Sequence, residues 1–152
     1  MKIALDAMGG DFAPEATVHG ALEALQADNA LDMYLLGKEE LVKEFLPETL
    51  PEHIHIIPTS QIVSMQDKGS MVLKEKPDSS LVKGIELLRD GVVDAFVSAG
   101  HTGAVLSSAL LSLGRIKGAK RPALAAYIPT EKGGKILCDV GANPDAKPRH
   151  LM

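Results

Sequence analysis

The stretch Ser98-Ala-Gly-His-Thr-Gly-Ala104 brings two hydroxyls, an imidazole and two glycines into one short turn. It follows the apolar run 92–97 and precedes an apolar helical stretch, 104–113, so it reads as a strand-to-helix connection. Such a connection leaves backbone N–H groups without acceptors at a helix N-terminus, where those donors and the helix dipole favour an anion. The chemistry on offer is a phosphate or oxyanion site built on Gly100, His101, Thr102 and Gly103. The plainer reading is that Gly100 and Gly103 only allow a tight bend, and by itself the stretch supports no more than that. Ser98 and Thr102 can donate to a ligand or cap the next helix, the cap being the commoner role. His101 can donate to an anion or titrate near neutral pH; the alternative is a surface loop side chain.

A second turn of the same kind, Met8-Gly9-Gly10-Asp11, follows the apolar run 2–7. In an open parallel sheet the loops leaving strand C-terminal ends collect along one edge, and ligands bind in the crevice there. Gly9, Gly10 and Asp11 are therefore expected to face residues 98–103 across one site. A third loop, 140–143, joins them only if the strand before it runs in the same direction. Asp6, Asp11 and Asp139 end or follow strands, where a carboxylate orients a basic group or, more commonly, receives loop N–H bonds.

Other chemistries find no support. Neither turn matches G-x-G-x-x-G and no G-x-x-x-x-G-K-S/T occurs, which leaves a nicotinamide or ATP site without its phosphate cradle. Ser98 lacks a G-x-S-x-G elbow. No histidine has metal-ligand spacing with a Cys or carboxylate, so no metal is expected; His19 and His55 read as structural and His53 as solvent-facing. Cys138, the single cysteine, lies in an apolar stretch and is expected to be an inert buried thiol. Arg115, Lys117, Lys120 and Arg121 form a dense basic cluster just after the helix 104–113. They complement that helix's dipole or dock an acidic partner or an anionic surface.

The elements that must position these residues follow from periodicity. Residues 2–7 form a strand, and Pro14 opens a helix carried by Ala16, Val18, Ala21, Leu22 and Leu25. A strand over 33–36, an amphipathic helix over 38–46 and a strand over 54–57 complete a β-α-β-α-β pattern, that of a parallel sheet covered by helices. Residues 59–77 read as a long loop with a helical turn near 70–74, and loops of that length are often functional. Asp78-Ser79-Ser80 caps a helix with Leu81, Ile85 and Leu88 on one face and Gly91 beyond its end. The helix 104–113 is apolar or small almost all round and is expected to be buried on most sides. Strands over 123–128 and 135–140 are separated too briefly for a helical crossover, which predicts an antiparallel hairpin and a mixed sheet. Residues 149–152 look like the start of a helix.

With 152 residues, 45% hydrophobic and 24% charged, the chain can bury a core of its own. A net charge of −4 argues against a nucleic-acid binder. The lone cysteine and the absence of a signal-peptide pattern or a long apolar run predict a reduced, cytoplasmic setting.

Four motifs occur in order: Asp6-Ala-Met-Gly-Gly-Asp11 with Ala13-Pro14; Ser98-Ala-Gly-His-Thr-Gly-Ala104; Gly114-Arg-Ile-Lys-Gly118 with Arg121-Pro-Ala-Leu124; and Asp139-Val-Gly-Ala-Asn143 with Asp145-Ala-Lys-Pro148. In these the chain resembles the bacterial phosphate acyltransferase family PlsX. Members of that family continue well beyond this length, so the resemblance implies that residues 1–152 are the N-terminal part of a single α/β domain. It implies a three-layer α/β/α Rossmann-like fold, related to isopropylmalate dehydrogenases and phosphotransacetylases. The implied reaction moves an acyl group from acyl carrier protein to inorganic phosphate, giving acyl phosphate for phospholipid synthesis. Phosphate itself attacks the thioester, so neither a protein nucleophile nor a cofactor is called for.

The implied partners are acyl carrier protein, phosphate, a second copy in a homodimer and a downstream membrane glycerol-3-phosphate acyltransferase. Location is cytoplasmic, with at most peripheral membrane association. On the matched motifs His101, Asn143 and Asp11 fall at the reacting atoms. Gly9, Gly10, Ser98, Gly100, Thr102 and Gly103 fall at the phosphate, and Arg115, Lys117, Lys120 and Arg121 at the carrier protein. The family's turn usually reads Ser-Ala-Gly-Asn-Thr-Gly; His101 stands in place of the Asn, and a neutral imidazole still donates one hydrogen bond. The competing readings are a non-catalytic acyl- or phosphate-binding module and, less well supported, a dehydrogenase-like enzyme.

Overall fold

A computed structural model describes residues 1–143 and 145. The expected helix start at 149–152 and most of the Asp145-Ala-Lys-Pro148 motif lie outside the described residues. The chain divides into two compact units, Met1–Leu113 and the segment from Gly114.

In the first unit the strands β1 (Lys2–Asp6), β2 (Asp32–Gly37), β3 (Ile54–Pro58) and β4 (Ala95–Val97) form one sheet in the order β3-β2-β1-β4. Every pairing is parallel, with Ile3 opposite both Met33 and Ala95 and Leu5 opposite both Leu35 and Val97. Alternation along the strands sends Leu5, Met33, Leu35 and Ile54 to one face, where they pack with Val18 and Ala21 of α1 (Glu15–Ala27) and Val42 of α2 (Glu39–Lys43). Ala4 and Leu36 face the other way with Val93, against Leu87 and Leu88 of α4 (Ser80–Arg89). Helices on both faces of a parallel sheet make the three-layer α/β/α arrangement.

Several boundaries move for local reasons. Residues 92 and 93 are not strand, because their N–H groups bond back to the Leu87 carbonyl and close the end of α4, with Gly91 at φ 69°. α2 stops at Lys43; Phe45 and Leu46 continue as single i→i−3 turns before Pro47. The helical turn expected near 70–74 is present as Gly69–Met71 followed by α3 (Val72–Glu75). The final helix of the unit, α5 (Thr102–Leu113), is less buried than its composition predicts: Leu111 is 65% exposed, and only Ala104 and Ser108 are fully buried. It packs on α4, on α3 and on the turn preceding α3.

In the second unit β5 (Ala125–Ile128) and β6 (Lys135–Cys138) form the expected antiparallel hairpin, with Ala125 opposite Cys138 and Ile128 opposite Lys135. The hairpin is a separate two-stranded sheet, so the four-stranded sheet is parallel throughout rather than mixed. The expectation of a buried Cys138 fails for the same reason. Every residue of β6 is exposed, since no second layer covers a lone hairpin among the described residues.

Candidate functional site

β1 and β4 are direct parallel neighbours, so the two glycine turns that leave them emerge side by side, as the sequence predicts. The approach is close. A Cβ built on Gly9 would fall 3.0 Å from the Gly100 nitrogen and 2.5 Å from Asp6 Oδ2, so a larger residue there must displace the Asp6 carboxylate and crowd the second turn. Asp6, at the C-terminal end of β1, is 3% exposed and accepts from Ser80 Oγ at 2.5 Å, Ser98 Oγ at 2.8 Å and the Met8 N–H at 3.2 Å. It is a turn-stabilising carboxylate, the commoner of the two roles expected for it.

Ser98 does not cap α5. Its hydroxyl donates to Asp6 and accepts the Gly100 N–H at 3.1 Å. Thr102 is exposed and is already the first residue of the helix. The cap is His101, whose carbonyl accepts from the N–H groups of Ala104 and Val105 and whose Nδ1 accepts the Ala104 N–H at 3.2 Å. The N–H groups of Thr102 and Gly103 have no acceptor among the described residues, as the first two donors of a helix do not.

The other ring nitrogen of His101 reaches the long loop expected to be functional. Nε2 lies 3.0 Å from the Asp67 carbonyl oxygen. The Asp67 carboxylate accepts from Lys76 Nζ at 2.5 Å and from the Ser64 N–H at 2.6 Å, and Lys76 also donates to the Ile62 carbonyl at 2.7 Å. The bond from Lys76, followed by that from Ser64, holds the Asp67 carboxyl below the usual aspartate range. Gly69 then presses against the first turn of α5, where a Cβ would lie 2.8 Å from the Ala104 nitrogen. Residues 60–69 thus form a strap fastened to the N-terminus of α5.

Between the strap and the glycine turns lies a cleft of about 310 Å³. Its walls are Met8, Gly10 and Asp11 from the first turn, Gly100 and His101 from the second, and residues 62–66 of the strap. Gly9 and Ser98 stand behind these walls, and Thr102 and Gly103 are exposed on the first turn of α5. In the sequence the strap residues carry no individual signal; the length of their loop is what marks them. Asp6 and Ser80, 74 positions apart, carried no local signal of their connection.

The remaining expected residues belong to the second unit. Asp139 accepts from the N–H groups of Leu124, Gly141, Ala142 and Asn143, and these bonds, Leu124 first and the Asn143 side chain next, hold it far below the usual carboxylate range. Asn143 Nδ2 donates both to Asp139 Oδ2 at 2.9 Å and to the Pro122 carbonyl at 2.8 Å, which closes the loop after β6. In the basic cluster Arg121 pairs with Asp145 at 2.8 Å, and Arg115 donates to the Lys120 carbonyl at 2.5 Å. His19 and His55 are exposed; His19 meets the edge of Phe45, and His55 lies beside Tyr34. His53 is exposed, as expected, and bonds to Asp32 at 3.0 Å. Among the described residues no three His, Cys, Asp or Glu side chains are grouped to hold a metal ion. No helix among them is long and apolar enough to cross a membrane.

The whole chain, residues 1–152, matches the family model described as fatty acid synthesis protein. It is 47% identical over 153 residues to a phosphate acyltransferase of Desulfitobacterium hafniense, covering 100% of this chain and 46% of that protein. It is 46% identical over 153 residues to the phosphate acyltransferase of Brevibacillus brevis, again covering 100% of this chain and 46% of the relative. With that of Dictyoglomus turgidum the identity is 50% over 154 residues, covering 99% of this chain and 46% of the relative. The chain therefore spans about half the length of these curated relatives.

Proposed function

We infer the function from one premise: the chain belongs to the fatty acid synthesis protein family. On that premise residues 1–152 are the N-terminal part of an α/β acyltransferase that moves an acyl group from acyl carrier protein to inorganic phosphate. The observation that carries the reading is the cleft in which the turns after β1 and β4 meet at the carboxyl edge of a parallel sheet, with His101 on its wall and the N–H groups of Thr102 and Gly103 next in the chain without an acceptor among the described residues. Phosphate held there attacks the thioester carbonyl carbon. A phosphate oxygen bonds to that carbon, the C–S bond breaks, and the thiolate of the carrier's arm leaves. The tetrahedral oxyanion between the two steps needs fixed N–H donors rather than a protein nucleophile.

In this reading Gly10 and Gly100 give phosphate close approach to the backbone, and Thr102 and Gly103 supply N–H donors. Asp11, the carboxylate on the cleft wall, takes a proton from the incoming phosphate. His101 works through its main chain and by fixing the first turn of α5. The loop from Arg115 to Arg121 meets the acidic carrier protein. A homodimer, a cytoplasmic setting with at most peripheral membrane contact, and a membrane acyltransferase that consumes the acyl phosphate belong to the same proposal.

The N–H groups of Thr102 and Gly103, which can hold an anion without any chemistry, favour one second reading, that these residues bind phosphate without turnover. Incubation with acyl carrier protein thioester and phosphate, with acyl phosphate trapped by hydroxylamine, separates the two. Acyl hydroxamate formation supports the enzyme, and saturable phosphate binding without it supports the binding module. Neither turnover nor binding would sink both.

A further inference from the structure

We propose that Asp6 is a positioning residue for the cleft, holding the turn after β4 against the turn after β1 through Ser98. The inference rests on the phosphate-binding reading above and names what sets the geometry of that site. Asp6 is 3% exposed, yet it forms no ion pair with any Lys, Arg or His among the described residues. A carboxylate so buried is costly unless hydrogen bonds replace its water. Here the replacement comes from the hydroxyls of Ser80 and Ser98 and the Met8 N–H. Ser80 is the first residue of the ten-residue α4, whose positive dipole end faces the charge.

The carboxylate stands directly behind the cleft. Its Oδ2 lies 2.5 Å from a Cβ position on Gly9 and 3.5 Å from one on Gly100. Ser98 carries the connection forward, since its Oγ donates to Asp6 and accepts from the N–H of Gly100, a wall residue. Asp6 is therefore tied to α4 on one side and to the cleft wall on the other, while its own atoms stay out of the cleft. The two ties differ in what they hold. Loss of the Ser80 tie loosens α4; loss of the Ser98 tie frees Gly100.

The test is a comparison of Ser98→Ala, Ser98→Thr and Ser80→Ala with the unaltered chain, measuring the dissociation constant of inorganic phosphate by calorimetric titration and the midpoint of urea unfolding. Ser98→Ala is expected to weaken phosphate binding about tenfold. Ser98→Thr, which keeps the hydroxyl, restores it. Ser80→Ala lowers the unfolding midpoint and leaves the phosphate constant within about twofold of the unaltered value. Equal phosphate affinity in Ser98→Ala, or an equal loss in Ser80→Ala, overturns the inference. Should Ser98→Ala not fold, Ser98→Cys makes the same comparison, since a thiol of similar size donates weakly: weakened phosphate binding supports the inference and unchanged binding overturns it. An unaltered chain that binds no phosphate removes the functional reading and this inference with it, whereas an unaltered chain that binds while Ser98→Ala binds equally removes the inference alone.

Discussion

The imidazole of His101 donates its Nε2–H to the carbonyl oxygen of Asp67 at 3.0 Å and accepts the Ala104 N–H on Nδ1 at 3.2 Å. A carbonyl only accepts and an amide N–H only donates, so the two bonds together require the neutral ring with its proton on Nε2. One side chain thereby caps α5 and fastens the strap that forms the outer wall of the cleft. Neither ring nitrogen is left to meet a ligand while both bonds hold.

Replacing His101 separates those two duties. His101→Asn keeps an oxygen able to accept the Ala104 N–H but is too short to reach Asp67, so helix stability is expected to persist while amide exchange in residues 62–68 quickens. His101→Ala removes the cap as well and is expected to cost a further ~1 kcal/mol in urea unfolding. Equal strap protection in His101→Asn and the unaltered protein would show that the ring is not the fastening.

The strap should also loosen in acid. Asp67 is held below the ordinary aspartate range by Lys76 first and the Ser64 N–H next. A carboxylate with a depressed folded-state value contributes stability that is present above its unfolded value of about 3.9 and lost as pH falls through the folded value. Exchange protection of residues 62–68 is therefore expected to decline below about pH 4. Asp67→Asn should show that decline already complete at neutral pH and no further acid step. An unchanged acid step in Asp67→Asn, followed by NMR, would assign it to another group.

Gly9→Ala tests how tightly the two turns are pressed together. The added methyl would lie 2.5 Å from Asp6 Oδ2 and 3.0 Å from the Gly100 nitrogen. Neither is the loose end of a flexible chain, because Asp6 is buried and held by three donors. Overpacking of this kind is expected to cost about 1–3 kcal/mol in urea unfolding and to weaken phosphate binding in whatever folds. Gly20→Ala, where a Cβ meets nothing within 4 Å, serves as the control and should be neutral or slightly stabilising.

The sequence carried the parallel sheet and the adjacency of the two glycine turns, because both follow from local signals: short apolar runs, capping residues, and the rule that strand C-terminal loops share an edge. It did not carry the capping of α5. Serine and threonine are the residues expected at such a cap, and His101 takes that place through a nitrogen lone pair that composition does not advertise. Nor did it carry the Asp6–Ser80–Ser98 group, whose members are far apart in the chain and meet only when α4 and β4 dock beside β1. Cys138 misled because an apolar strand is read as buried, whereas burial depends on a second layer that a two-stranded hairpin does not supply by itself.

That exposure gives a direct chemical check. Cys138 is the single cysteine of the sequence and lies in β6 with every neighbour of that strand exposed. A thiol reagent should label the folded 152-residue chain fully, and at a rate within about tenfold of the urea-unfolded chain, since the reagent reaches an exposed thiol without unfolding. Labelling that requires unfolding would mean that β6 is covered in solution.

The basic loop yields a prediction about association. Arg121 is paired with Asp145 and Arg115 is engaged by the Lys120 carbonyl, so these side chains are partly committed before any partner arrives. Exposed pairs of this kind contribute only ~0–1 kcal/mol, and a strongly acidic partner can compete for the arginine. If the loop meets acyl carrier protein, Lys117→Glu should slow association, and the effect should shrink with added salt as the screening length falls below about 10 Å. Asp145→Asn should quicken association by releasing Arg121. Stopped-flow association rates at low and high ionic strength measure both. If neither variant changes the rate at low salt, the cluster serves the helix end it follows and not a carrier protein.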